Sequence, residues 1–215
     1  MPARVAGACG LLSVVTLNLG WILGGLAQPP AYSAVRDDIS DLGARTADSA
    51  WLYNQLGANL TGVLVVVVAA GLWRALSPDI LGRVGSLTLA VSGLGAFLDG
   101  LFRLDCRGID AHCTNDSWHS HAHKIESGVT AATLLLAPLV LAFAFRRNPR
   151  WRGAWLPTLC ASPGLLVAST LFSAWGDGAA TRAGTVVAFL WIGFVSVWLL
   201  RTPDAPASVS ASASA

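Results

Sequence analysis

The sequence predicts an all-α fold, a polytopic membrane helix bundle of six transmembrane helices with both termini cytoplasmic. Hydropathy, run length and the placement of basic residues lead there. Of the 215 residues, 54% are hydrophobic and only 12% are charged, and the mean hydropathy of +0.59 is well above that of a water-soluble globule. The apolar residues recur in runs of roughly 20, the length that crosses a bilayer as a helix. In order these are about Val5–Ala27, Leu52–Leu76, Ile80–Phe102, Ile125–Phe145, Trp155–Trp175 and Ala183–Leu200. Backbone groups in hydrocarbon need internal partners, and runs this long exceed barrel strands, so each is expected to be a helix.

The first run is longer than a signal-peptide core and carries Asn18 and Trp21 within it, so it reads as a retained helix. Residues 1–202 form the six-helix domain, and the Ala/Ser-rich tail over 203–215 reads as disordered. Six tryptophans, Trp51, Trp118, Trp151, Trp155, Trp175 and Trp198, fall near span ends, where aromatic belts are expected.

An even number of spans puts both termini on one side, and basic loop residues choose the side. Cytoplasmic termini place Arg4, Arg74, Arg83, Arg146, Arg147, Arg150, Arg152 and Arg201 inside. Arg36, Arg45, Arg103, Arg107, Lys124 and Arg182 then lie outside. The dense loop RRNPRWR decides for this orientation, that of a multi-pass protein of the cell membrane. Ten of the twelve acids then gather at the outer face, marking it as the polar, working end. A net charge of +2 without a basic patch argues against nucleic acid. Neither a P-loop nor a dinucleotide-type glycine motif precedes any helix. The expected partners are the lipid bilayer and a hydrophobic small molecule.

The segment DCRGIDAHCTNDSWHSHAHKIESG, residues 105–128, holds all four histidines, two of four cysteines and the single glutamate. Cys106 and Cys113 share the outer loop, where an oxidising compartment allows a disulfide; two free thiols fit the sequence equally. A helix starting near Ser117 puts His119, His123, Glu126 and Thr130 on one stripe descending into the bilayer. A His-x-x-x-His pair holds a metal, Zn2+ foremost, through two imidazoles, with a carboxylate as third ligand and an open position for water. Asp41, Asp99, Asp105 or Asp177 is placed to supply that carboxylate. The competing reading is that His119 and His123 cap the helix and bond to nearby acids. Glu126 and Asp99 sit where an ionisable group costs several kcal/mol unless paired, hydrated or protonated, which makes each a functional-site candidate. An ion pair with Arg103 or Lys124 is the structural alternative. Asn54, Gln55, Asn59 and Thr61 carry a polar run into the second span.

ISDLGARTADSAWLYNQLGANLTGVL, residues 39–64, with a Ser-Asp-Leu-Gly element after the first span, resembles the bacterial membrane proteins grouped as "domain of unknown function 998". GRVGSLTLAVSGLGAFLDGLFRLDC and SWHSHAHKIESGVTAATLLLAPLVLAFAF are similar to that family's third span and the Trp-His-x-x-x-His start of its fourth. Lys124 stands where the family often has an acid. The resemblance covers nearly the whole chain except the tail; it implies six helices and no particular reaction.

Two functions follow from the residues. One is an intramembrane enzyme acting on a lipid or isoprenoid substrate, with Glu126, Asp99, Asp41 and Asp105 as candidate catalytic acids and His119 and His123 as metal ligands. Its chemistry is either metal-assisted hydrolysis or acid-initiated terpene cyclisation in an aromatic-walled pocket. The other is a non-catalytic small transporter, partner subunit or pH-responsive protein.

Overall fold

Six helices follow one another along the chain, each long and apolar enough to cross a membrane. They are α1 (Ala3–Leu26), α2 (Leu52–Leu76), α3 (Ile80–Asp99), α4 (Trp118–Arg147), α5 (Trp155–Ser173) and α6 (Asp177–Arg201). The structure, a computed structural model, describes residues 2–202; the expected tail over 203–215 lies outside the described residues. Among the described residues there is no strand.

Each helix packs on its sequence neighbours, and α1 closes the circle on α6. One end of the ring carries the start of α1, the end of α6 and the connections 77–79 and 148–154, while the three-residue turn 174–176 lies at the opposite end. The other, the loop end, carries the long segments 27–51 and 100–117. Large apolar side chains such as Ile22, Leu87, Leu171 and Leu190 point outward and are exposed, as a lipid-facing surface requires.

The terminal half is a packed apolar core. Leu72, Leu141, Phe145, Trp151, Ile192 and Leu199 are each at most 1% exposed. Trp151, expected in an interfacial belt, is fully buried and stacks on Phe145 with centroids 4.6 Å apart. Trp51, Trp118 and Trp175 are exposed near helix ends, as a belt predicts. The other half is more polar, and its helices are tied by hydroxyls: Thr16 to Thr61 at 2.7 Å and Ser92 to Thr133 at 2.9 Å.

Local chemistry sets the boundaries. Asp79 caps α3 by accepting the Gly82 amide, and Ser117 caps α4 by accepting the Ser120 amide, the usual service of a short polar side chain at a helix start. The Ser117 cap starts α4 seven residues before its apolar run. The first nine residues of α2, Leu52–Leu60, are wound as a π-helix, a rare geometry that proteins keep at functional places.

Glycine sets how closely α2 approaches its neighbours. A Cβ on Gly62 would lie 2.4 Å from the Phe97 amide nitrogen and 2.5 Å from the Gly93 carbonyl, so α2 and α3 touch backbone to backbone. Gly62→Ala is therefore expected to destabilise the protein by about 1–3 kcal/mol, the usual penalty of overpacking. A Cβ on Gly128 meets nothing within 4 Å, so Gly128→Ala should leave the melting temperature in detergent unchanged or raise it. Equal melting of the two variants would refute the close packing.

Candidate functional site

The loop half of the ring encloses a cavity of about 610 Å³, within the range of small-molecule sites. Its walls come from α1, α2, α3, α4 and α6 and from the loops; Leu17, Val65, Leu134 and Ile192 form its floor, against the packed core.

Three ionisable side chains meet on its wall. α3 ends at Asp99, and α4 presents His123 and Glu126 one turn apart on its inner face. His123 is 6% exposed and Glu126 8%. His123 Nδ1 stands 3.1 Å from Asp99 Oδ1 and 3.9 Å from Glu126 Oε1. The short distance to Asp99 is not matched by the angle of a directed hydrogen bond, and Nδ1 is a buried atom without such a partner. The contact is electrostatic, aimed between two carboxylates.

Hydroxyl donors fix both acids. Tyr53 donates to Asp99 Oδ2 at 2.7 Å, Ser127 to Glu126 Oε1 at 2.8 Å and Thr130 to Glu126 Oε2 at 3.5 Å. Ser127 also lies 3.5 Å from His123 Nε2. Glycine allows the approach, since a Cβ on Gly95 would collide with the Thr130 hydroxyl.

One ligand atom from each of Asp99, His123 and Glu126 lies within 4.8 Å of the others, an arrangement fit for a metal ion. Ligand atoms about 2.1 Å from a tetrahedral zinc lie about 3.4 Å apart, close to two of the distances found. The unpaired Nδ1 is the atom such an ion would complete.

The other residues singled out in the sequence are spread around this centre. His119 is on the same stripe as His123 but outside the converging group: its ring stacks on Trp118 with centroids 3.7 Å apart and leans toward Phe102. Asp41, in the 3-10 turn Ile39–Gly43, lines the cavity and accepts the Gly108 amide at 3.2 Å. Burial, together with the charges of Asp38, Asp37 and Asp110, raises its pKa, against the pull of the Gly108 bond. Asp105 accepts the Ser117 amide and the Ser120 hydroxyl, each at 2.9 Å, and these bonds hold its carboxyl below the usual range. It therefore anchors the start of α4. Asp177 opens α6.

Neither basic candidate pairs with the two buried acids. Arg103 donates to the Gly43 and Ala44 carbonyls at 2.9 Å, and Lys124 to the Asn115 carbonyl at 3.2 Å. Asn54 and Asn59 bond across elements, to Gly43 and Phe97 carbonyls, while Thr61 lines the cavity. Tyr53 escaped the sequence reading. Its one signal was a phenol heading the polar run Tyr53-Asn54-Gln55, at the level where α3 ends in an acid.

Over the cavity lies the segment 104–116, closed by a Cys106–Cys113 disulfide with Cα atoms 6.3 Å apart. Leu104, Gly108 and Asn115 line the cavity from it. Arg107 grips Asp110 at 2.8 Å, reaches Asp48 at 3.6 Å and donates to Gln28. Cys9 and Cys160 are free, the first partly buried and the second exposed.

Six apolar helices around a loop-capped cavity with an Asp/His/Glu cluster define a multi-pass, membrane-type helical protein. The chain belongs to the family described as protein of unknown function (DUF998), whose model matches residues 8–211. No curated protein and no solved structure matches it.

The Arg107 hydrogen bond holds Asp110 at a pKa of about 2, below the roughly 3.9 of a free aspartate. A depressed carboxyl stabilises the fold above its unfolded value, and that contribution fades as pH falls through the folded one. Measured against a small-molecule disulfide reduced alongside it, reduction of Cys106–Cys113 by a phosphine should therefore accelerate as pH drops from about 4 toward 2. Asp110→Asn should already reduce fast at pH 4 and lose the pH step; the same step in both proteins would refute the anchor.

Proposed function

We propose that the protein is an intramembrane enzyme acting on a lipid substrate by metal-assisted hydrolysis, with Asp99, His123 and Glu126 as ligands of a divalent ion. The carrying observation is that these groups converge to within 4.8 Å on the wall of a cavity whose floor is apolar. Three ionisable groups inside a membrane-type bundle are costly unless they serve one another or an ion. A bound ion would polarise a water and lower its pKa toward neutrality. The chain's own part is to hold the ligands, through the Tyr53, Ser127 and Thr130 hydroxyls, and to keep a water position open to the cavity. Water would add its oxygen to a lipid acyl carbon as the bond to the alkoxy or amino group breaks, with one water proton going to the leaving group and the other released to solvent as the carboxylate forms. Asp41 and Asp105 are assigned binding and structural roles instead.

Acid-initiated cyclisation of an isoprenoid is less well supported. Cationic intermediates call for aromatic walls, and Tyr53 and Phe189 are the only Phe, Tyr or Trp side chains lining the cavity among the described residues. Transport is disfavoured by the packed core beneath the cavity. For orientation, the disulfide supports the loop end facing an oxidising compartment, with the RRNPRWR loop and both termini cytoplasmic.

Protein purified in detergent without chelator is expected to carry close to stoichiometric zinc or another divalent metal. His123→Ala and Glu126→Gln should lose the metal and all lipid hydrolysis while remaining folded; His119→Ala should keep the metal. Tyr53→Phe deletes only the hydroxyl on Asp99 and should weaken metal retention about 10–100-fold, as supporting contacts do. Metal-free wild type that hydrolyses lipid, or variants that retain the metal, would overturn the assignment.

A further inference from the structure

The cavity wall lacks α5 on one side. α4 and α6 do not pack directly on each other; α5 bridges them. The α5-to-α4 ties lie at mid-depth and toward the termini: Ser162 donates to the Leu135 carbonyl at 2.7 Å, and Arg146 lies over Trp155 at 5.5 Å. On the loop half, α5 contributes no side chain to the cavity wall among the described residues, and its Leu166, Val167 and Leu171 are exposed, as is Trp175 just beyond it. Ala131 of α4 and Thr181 of α6 both line the cavity and are exposed. Both α4 and α6 thus carry exposed positions on the cavity wall that α5 does not cover, Ala131 roughly 20 Å along the helix from Trp118.

The mouth of the cavity is acidic, and Lys124 is the one lysine or arginine among the described residues that lines it. Asp38 and Asp41 line it. Asp38 accepts the Thr181 hydroxyl at 2.8 Å, and Asp41, 7% exposed, accepts only the Gly108 amide. Among the described residues no Lys, Arg or His nitrogen lies within 4.0 Å of either carboxylate. The arginines around them are bound elsewhere. Arg103 holds the Gly43 and Ala44 carbonyls, Arg182 the Ala34 and Asp37 carbonyls and the Tyr32 hydroxyl, and Arg107 holds Asp110. Lys124 lines the cavity but donates to the Asn115 carbonyl. Asp41 is buried and Asp38 half-buried, and carboxylates without an ion-pair partner beside a void are stabilised by a charged donor. His123, whose Nδ1 stands 3.1 Å from Asp99 without a directed hydrogen bond, lines the same cavity. Below the acids the wall turns apolar, through Phe189 to Leu134 and Ile192, and Thr181 and Ile192 are separated by roughly 16 Å along α6.

From this we infer that the cavity takes a single-chain amphiphile with a cationic, ammonium-type head, which enters from the bilayer between α4 and α6. The head sits between Asp38 and Asp41, the chain runs down to Ile192, and the bonds next to the head pass Asp99, His123 and Glu126. The inference rests on the enzymatic reading only in making this amphiphile the substrate class; its binding is separable from turnover and from metal.

The test is equilibrium binding of radiolabelled hexadecylamine to the Glu126→Gln protein in nanodiscs of uncharged lipid, so that hydrolysis plays no part. Saturable binding is expected, with hexadecanol and hexadecanoate competing poorly. Asp38→Asn keeps an acceptor for Thr181 and so should fold; it is expected to weaken binding about tenfold, and Asp41→Asn more, with Asp41→Glu restoring it. Ala131→Trp should slow association without altering the melting temperature. Equal competition by hexadecanol or hexadecanoate, or unaltered affinity in folded Asp38→Asn, would overturn the inference even if the metal and hydrolysis are found. Lack of metal alongside acid-dependent amine binding would overturn only the hydrolase.

Discussion

A histidine and two carboxylates cannot sit singly at the depth of a membrane interior, and the bundle is arranged around their mutual satisfaction. Asp99 belongs to α3, His123 and Glu126 to α4, and the hydroxyl on Asp99 to Tyr53 of α2. Separating any two of these helices would leave a charged or strongly polar group facing hydrocarbon, at a cost of several kcal/mol. Lipid offers little hydrophobic drive for helix association, so this polar knot and the close glycine contacts supply much of what holds α2, α3 and α4 in register. Removing only the partner of a buried charge is more damaging than never having had the pair.

The loop end is organised to serve that knot. Asp105 receives the Ser117 amide and the Ser120 hydroxyl, which fixes where α4 begins and so where His123 and Glu126 stand. The same loop turns back through the disulfide to put Gly108 on Asp41. Arg103 reaches the Gly43 and Ala44 carbonyls, a use of guanidinium that satisfies backbone acceptors where the chain is not helical. The roof is thus hydrogen-bonded to itself and to α4, and Asp38 and Asp41 line the cavity beneath it.

Much of this was legible in the sequence because hydrocarbon imposes simple rules. The six runs, and the bounds of α2 in particular, follow from length and apolarity alone. The stripe through His123 and Glu126 follows from helical period, and Asp99 from its being an acid in an apolar run. What was hidden depends on partners far away in the chain. α4 and α6 start before their apolar runs, because Ser117 caps one and Asp177 opens the other. Trp151 looks like a belt residue by position, yet Phe145 and Trp198 enclose it. His119 shares the stripe but is held by Trp118, and spacing cannot tell a ligand from a stacked ring. Tyr53 is meaningful only once α2 is known to face the end of α3.

The π-helical start of α2 links these levels. Winding Leu52–Leu60 wider rotates the side chains before Thr61 relative to those of the α-helix that follows. It brings Tyr53, Gly57 and Ala58 to the same cavity as Thr61 and Val65, and sends Asn54 and Asn59 to Gly43 and Phe97. Gly57 then lies against Gly20, where a Cβ on Gly20 would come within 2.3 Å of the Gly57 Cα, so α1 can follow the swollen turn without a gap. An ordinary α-helix over the same residues would turn about 100° per residue, more than the wider π-helix does, so the Tyr53 phenol would leave the face that meets Asp99. A π-helical turn kept next to a buried acid is a local departure from regular winding that serves the geometry of a site.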